Sequence, residues 1–225
     1  VTILETKIAE LKEKLFRMAA LAETMLTGSM EALVRRDPAR ARQVIEVEEP
    51  KVNALEMEVE NDAIGVMALH QPEATALRTL VMITRINANL ERIGDHAVNI
   101  AEAACYLADR PQVKPLIDLP RMSELTVAML ADALDAFARG DAELARDVCG
   151  RDSTVDALKD QVNRELVTYM ISDPATIDRA LKLMMVSLNL ERVADLATNI
   201  AEDAIYSAQG RVIKHGAEQE GGQAS

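Results

Sequence analysis

Tryptophan is absent from this chain, and aromatic residues of all kinds make up only 2% of it. A sheet-based core draws heavily on aromatic and β-branched side chains, so this supply counts against an all-β fold. Nine glycines and seven prolines are few for 225 residues, which leaves long stretches without a turn signal. The two cysteines, Cys105 and Cys149, have neither disulfide-framework nor zinc spacing, as expected of a reducing compartment. Basic charge is also short: 25 Lys and Arg stand against 37 Asp and Glu, for a formal net charge of −12. Such a surface repels phosphate backbones and anionic headgroups, so no nucleic-acid partner is expected. Long apolar runs are missing too. "TLVMITRINANL" is cut by Arg85, well short of the roughly 20 residues of a membrane span. Direct membrane insertion is therefore not expected. No secretory signal opens the chain, and a cytoplasmic location is the expectation.

What remains is rich in Ala, Leu, Met and charged residues, the strong helix formers. Breakers are sparse and regular: "RRDPAR" at Asp37–Pro38, "HQPEAT" at His70–Thr75, "DRPQVKPLIDLP" at Asp109–Pro120, "RGDAE" at Arg139–Glu143 and "SDPATI" at Ser172–Ile177. They leave six helices of roughly 25–35 residues each. Asp37 followed by Pro38 reads as an N-cap and first helical residue. Pro50 falls inside the second helix and predicts a kink or restart there.

The chain repeats itself. "NLERIGDHAVNIAE" (Asn89–Glu102) and "NLERVADLATNIAE" (Asn189–Glu202) agree at ten of fourteen positions. "VNALEMEV" from Val52 echoes "VDALKDQV" from Val155, and "EALVRRD" to Asp37 echoes "DAFARGD" to Asp141. The fold expected is all-α, two tandem, internally duplicated three-helix bundles. The first covers residues 1–113, the second 114–215, and the polar stretch 216–225 is expected to be disordered.

The repeated stretch carries polar residues that a core does not need. At about 100 degrees per residue from Glu91, Asp95, Asn99 and Glu102 fall near 40, 80 and 20 degrees. Glu191, Asp195, Asn199 and Glu202 repeat this stripe. Ile93, Ala97, Ile100, Ala101 and Ala104 lie on the opposite, core-facing side. The stripe continues a row of Leu77, Val81, Thr84 and Ala88, or Ile177, Leu181, Met184 and Leu188, and ends at Tyr106 or Tyr206. An isolated charge run is usually a solvated face. A run continuing an apolar row suggests instead a face packed for half its length that then turns carboxylate.

Like charges one turn apart repel, so a positive partner is expected. Arg92 and Arg192 stand at the stripe's edge, a partner protein could present a basic patch, or a cation could bind. Converging carboxylate and amide oxygens suit Mg, Mn, Ca or ferric iron, with zinc as a further alternative. Glu49 and Asn53, aligned with Asp152 and Asp156, could add oxygens from the second helix of each half, although such pairs are more often plain surface. None of His70, His96 and His215 lies three residues after a glutamate, against the Glu-x-x-His di-iron pattern. His96, opposite Leu196 in the second copy, reads as an edge residue. The eleven methionines sit at core spacings. No nucleophile–base pair, phosphate-cradling glycine loop or His/Cys zinc set is evident.

A Glu-x-x-x-Asp motif on the third helix of two tandem bundles, here "ERIGD" (Glu91–Asp95) and "ERVAD" (Glu191–Asp195), resembles the PhoU family. "QPEATALR" after His70, "LDAFARGD" ending at Asp141 and "GRVIKHG" from Gly210 are similar to it as well. The resemblance implies a cytoplasmic, non-enzymatic negative regulator of phosphate uptake and the phosphate-starvation response. It would bridge a phosphate ABC transporter and a sensor histidine kinase. It further implies metal, iron included, at the two motifs, with Glu91 and Asp95 at one and Glu191 and Asp195 at the other. Asn99, Glu102, Asn199 and Glu202 extend that set by helix geometry. The apolar excess on long helices points to self-association as a homodimer. Ala194 replaces Gly94 in the second motif; mid-helix Gly suggests close backbone approach, which would make the second site less open. The alternatives are a metal-free scaffold whose acidic stripes meet basic partners, and a metal-dependent phosphoester hydrolase.

Overall fold

In the computed structural model, which describes residues 2–209, every regular element is helical and no strand occurs among the described residues. Helix α1 (Ile3–Arg35) opens with a capping box. Thr2 Oγ1 accepts from the Glu5 N–H at 3.2 Å, and the Glu5 carboxylate accepts from the Thr2 N–H at 2.7 Å. Two turns end in the left-handed conformation before an aspartate cap, and they are repeat equivalents. Arg36 (φ 58°) precedes Asp37, and Gly140 (φ 68°) precedes Asp141. Asp37 Oδ1 accepts from Ala39 and Arg40, and Asp141 Oδ1 from Glu143 and Leu144. The predicted cap at Asp37–Pro38 is thus present. Arg36 tolerates a backbone that favours glycine because its guanidinium clamps the Ala108 carbonyl at 2.7 and 3.1 Å.

At Pro50 the second rod restarts, as the proline predicts. Helix α2 (Pro38–Gln43) runs through one π-helical turn, Val44–Glu48, into α3 (Glu49–His70). Widening the coil just before Pro50 places the proline in the first turn of α3, where its missing N–H costs little. Inside that turn Glu48 is buried and accepts from Arg40 at 2.7 Å and Gln43 at 3.2 Å. The Arg40 guanidinium lies against Gly28 of α1, where an added Cβ would stand 1.7 Å from Nη2. Counting α2 and α3 as one rod, the described residues form six helices.

α1, α3 and α4 (Ala74–Ala108) make the first bundle; α5 (Asp118–Arg139), α6 (Ala142–Ser172) and α7 (Ile177–Gln209) make the second. α5, at 22 residues, is shorter than expected. The linker between α4 and α5 is pinned. Arg179 donates to the Pro111 carbonyl at 2.9 Å, and the buried Lys114 ammonium pairs with Asp118 and Glu165. The expected division at 113/114 falls inside this linker; the proposed 216–225 tail lies outside the described residues.

The bundles are not independent. α4 and α7 pack antiparallel: Arg85 pairs with Asp203 at 2.9 Å, and His96 Nδ1 meets Asn189 Oδ1 at 2.8 Å. His96, expected at an edge, is half-buried in this seam. One apolar core runs through both halves, from Leu15, Met18 and Met25 of α1 through Ile93 and Ile100 of α4 to Val193 and Ile200 of α7. The predicted core side of the repeat, Ile93 to Ala104, is buried throughout. Six methionines are buried, while Met57 and Met185 are exposed.

Candidate functional site

The rows leading into the stripes correct one expectation. Leu77 is 41% exposed, Leu181 48% and Leu188 46%, and Val81, Ala88 and Ile177 are exposed as well. Those stripes are therefore not packed for half their length; each is an apolar surface row followed by carboxylates. The helix count could not show this, because a three-helix bundle buries only one side of each rod, and the side opposite Ile93 stays outside.

At the first stripe, Glu91 of α4 is half-buried and Asp95, one turn on, is exposed. Glu49 and Glu56 of α3 act on Glu91 across the helix pair. Burial pushes the Glu91 carboxyl above its ordinary value, the charges of Asp95, Glu56 and Glu49 add to the rise, and Arg92 opposes it. One turn earlier Asn87 is buried. Its Nδ2 donates to the Glu56 carbonyl at 3.0 Å, and its Oδ1 has no hydrogen-bond partner. Among the described residues no ion pair joins Glu49, Glu56, Glu91 or Asp95 to a cation. These four carboxylates are of the chemical type that a hard cation prefers.

The second stripe differs. Lys159 of α6 sends its ammonium between Asp156 Oδ1 and Glu191 Oε1, at 2.9 Å from each. Arg192 adds a hydrogen bond to Asp195 Oδ2 at 3.0 Å and stands 3.5 Å from Glu191 Oε2. Burial raises the Asp152 carboxyl, with Asp195, Asp156 and Glu191 adding and Lys159 opposing; burial and Glu191 raise Asp195 against Arg192. The Lys159 ammonium is held charged above its usual range by its hydrogen bonds to Asp156 and Glu191. Here the carboxylates already face two cations, and the fit to a metal is correspondingly poor.

Other members of the predicted set are disposed differently. Asn99 donates to Asn189 Oδ1 at 3.1 Å and belongs to the α4–α7 seam. Glu102 is exposed, Asn199 is exposed and Glu202 is half-buried near Cys149, whose thiol rises to about 11 through burial and the charges of Glu202 and Asp152. Glu102 stands about 16 Å along the helix from Glu91 at 1.5 Å per residue, too far to share one ion. Asn53 is exposed on α3. Among the described residues no three Asp, Glu, His or Cys side chains are already drawn together as a metal centre; closing the first cluster needs rotation of its side chains.

Two participants were missed: Glu56 and Lys159. Their signal lay in the quoted echo, where "VNALE" aligns with "VDALK" and these two positions reverse charge. The proposed role of Gly94 also changes. A Cβ there would meet Val52 Cγ1 at 3.5 Å and Met25 Cε at 3.6 Å, ordinary contacts on the core side. Its nearest neighbours from other helices are side chains, and Gly94 lies on the buried side of α4, away from the stripe.

The model of the PhoU domain matches twice, over residues 15–104 and 119–204. The phosphate-specific transport system accessory protein PhoU homolog of Aquifex aeolicus is 40% identical over 93% of this chain and 94% of its own length. The Pseudomonas putida homolog of the same description is 36% identical over 93% and 82%. The crystal structure of PhoU from Pseudomonas aeruginosa superposes with a TM-score of 0.89 at 34% identity, covering 92% of this chain and 99% of that one. A phosphate transport system regulatory protein PhoU from Streptococcus pneumoniae gives 0.87 at 25% identity, over 94% and 100%. Two family domains in tandem, with both acidic motifs on equivalent helices, make this chain a member of the PhoU family.

Proposed function

We propose that this protein is a negative regulator of phosphate uptake and of the phosphate-starvation response. It works as an adaptor, not an enzyme, between a phosphate ABC transporter's ATPase and a phosphate-sensing histidine kinase. The relatives named as accessory proteins of phosphate-specific transport support the transport side of this reading. The observation that carries the site is the paired acidic motif, Glu91/Asp95 and Glu191/Asp195, on equivalent helices of a duplicated fold. Bound cation, iron or another oxygen-preferring ion such as Mn, Mg or Ca, would be held foremost by Glu91 and Asp95 with Glu49 and Glu56. Its chemistry there is charge neutralisation that ties α3 to α4. Among the described residues no helix is long and apolar enough to cross a membrane; attachment through the transporter, from the cytoplasm, fits this reading. A homodimer belongs to the proposal too, since the exposed apolar rows offer surface to a second copy or a partner.

The test is genetic. Deleting the gene should derepress phosphate-starvation genes in rich phosphate, and the wild-type chain should restore repression. A deletion strain that still represses them would refute the reading. A metal-free scaffold is the second reading, favoured by Lys159 within the second cluster. It wins if metal-free protein, verified by elemental analysis, regulates fully.

A further inference from the structure

Two repeats that share an acidic motif invite the assumption that they do the same thing. The residues facing the motif say otherwise. Glu56 on α3 and Lys159 on α6 occupy equivalent places in the repeat, each seven residues after an aligned acid, Glu49 or Asp152. Each stands over the glutamate of its motif: Glu56 acts on Glu91 by repulsion, and Lys159 bonds Glu191 directly. Two differences separate the clusters: Glu56 gives way to Lys159, and Asn53 to Asp156, which Lys159 also bonds.

We propose that Lys159 is a built-in cation that closes the second cluster to metal, so that this chain takes up metal at the Glu91 cluster alone. The inference rests on the metal-binding reading above. Three observations carry it. The ammonium bridges α6 and α7, 2.9 Å from a carboxylate oxygen on each helix. Its side chain is only 20% exposed and that of Glu191 12%, so the Lys159–Glu191 bond is screened less than a surface pair, while Asp156 lies at the exposed rim. Arg192 bonds Asp195 and stands 3.5 Å from Glu191 Oε2, an oxygen without a hydrogen-bond partner, while Arg92 makes no ion pair among the described residues at the first. A divalent ion entering the second cluster would have to break two charge-assisted bonds and lie beside a displaced ammonium, like charge against like. At the first cluster the same ion meets carboxylates that no ion pair already holds among the described residues.

The consequence is a division of labour. The second bundle keeps its α6–α7 contact whatever the metal supply, and the first gains its α3–α4 tie only when metal is bound. Metal availability is then sensed by one half of the protein.

The experiment uses the full chain, stripped with chelator and titrated with manganese(II) alone. Metal per chain is measured by elemental analysis after desalting, with melting temperature and helicity as readouts of folding. Wild type should bind with one class of site, lost in E91Q/D95N. K159E should create a second class at least about tenfold tighter than any residual binding at that cluster, and K159Q should move the same way by less. E56K should abolish the first class. Equal occupancy of both clusters in wild type would overturn the proposal. So would folded K159E and K159Q proteins whose metal content matches wild type. If wild type binds no manganese anywhere, the metal-binding reading fails, and Lys159 is judged separately. A gain of metal in K159E then upholds its closing role, and no gain overturns it.

Discussion

Glu91, Asp152 and Asp195 each sit above their ordinary values, 4.5 for the glutamate and 3.8 for the aspartates, mainly through burial. A carboxyl raised on folding binds its proton more tightly in the folded state than in the unfolded chain. Its contribution therefore favours folding at low pH, and that advantage is lost as pH rises from the ordinary value through the raised one. Glu91→Gln in metal-free protein should raise the melting temperature at pH 7 by about a degree and flatten its decline above pH 4.5. With manganese present, the same substitution should lower the melting temperature relative to wild type. Thermal melts across pH, with and without metal, check both signs. Gly28 is a second single-residue dependence, because its missing Cβ makes room for the Arg40 guanidinium. Gly28→Ala should cost about 1–3 kcal/mol in chemical denaturation, since Arg40 must shift off the buried Glu48. The chain's glycine count could not single out Gly28; only the packing of α2 on α1 does.

At the scale of elements, the second rod shows how a helix accommodates proline. The π-helical turn at Val44–Glu48 carries the buried Glu48, paired with the half-buried Arg40 of α2. Arg40→Ala would leave Glu48 buried without its cation and should cost about 3 kcal/mol or more in denaturant unfolding. Arg40→Met with Glu48→Met should recover much of that loss. The helices, their caps and the second rod's proline signal were legible in the sequence because caps and breakers act over three or four residues. The π-helical turn was not, since it answers to a tertiary partner, Gly28 on another helix. Likewise the core side of α4 followed from periodicity. The solvent exposure of Leu77, Leu181 and Leu188 did not, because a row's fate depends on whether a neighbouring helix covers it.

For the whole molecule, the α4–α7 seam decides whether two repeats are two domains. Asp203 is buried and pairs with Arg85, and His96, Asn99 and Asn189 bridge the halves within one continuous apolar core. The full chain should therefore unfold in a single calorimetric transition, and residues 1–113 alone should lose cooperativity or associate, having exposed the α7-facing side of α4. Two well-separated transitions in the intact chain would contradict this. From the sequence by itself came the helical class, the duplication, the buried side of each motif helix, and the motif that marks the family. These follow from local propensity and from a period that a helix must obey. Tertiary structure alone decided what faces the two acidic stripes: carboxylates at Glu91, an ammonium at Glu191. Charges on separate helices interact only after packing brings them within a few ångströms, and no periodicity along one helix records what another will set against it.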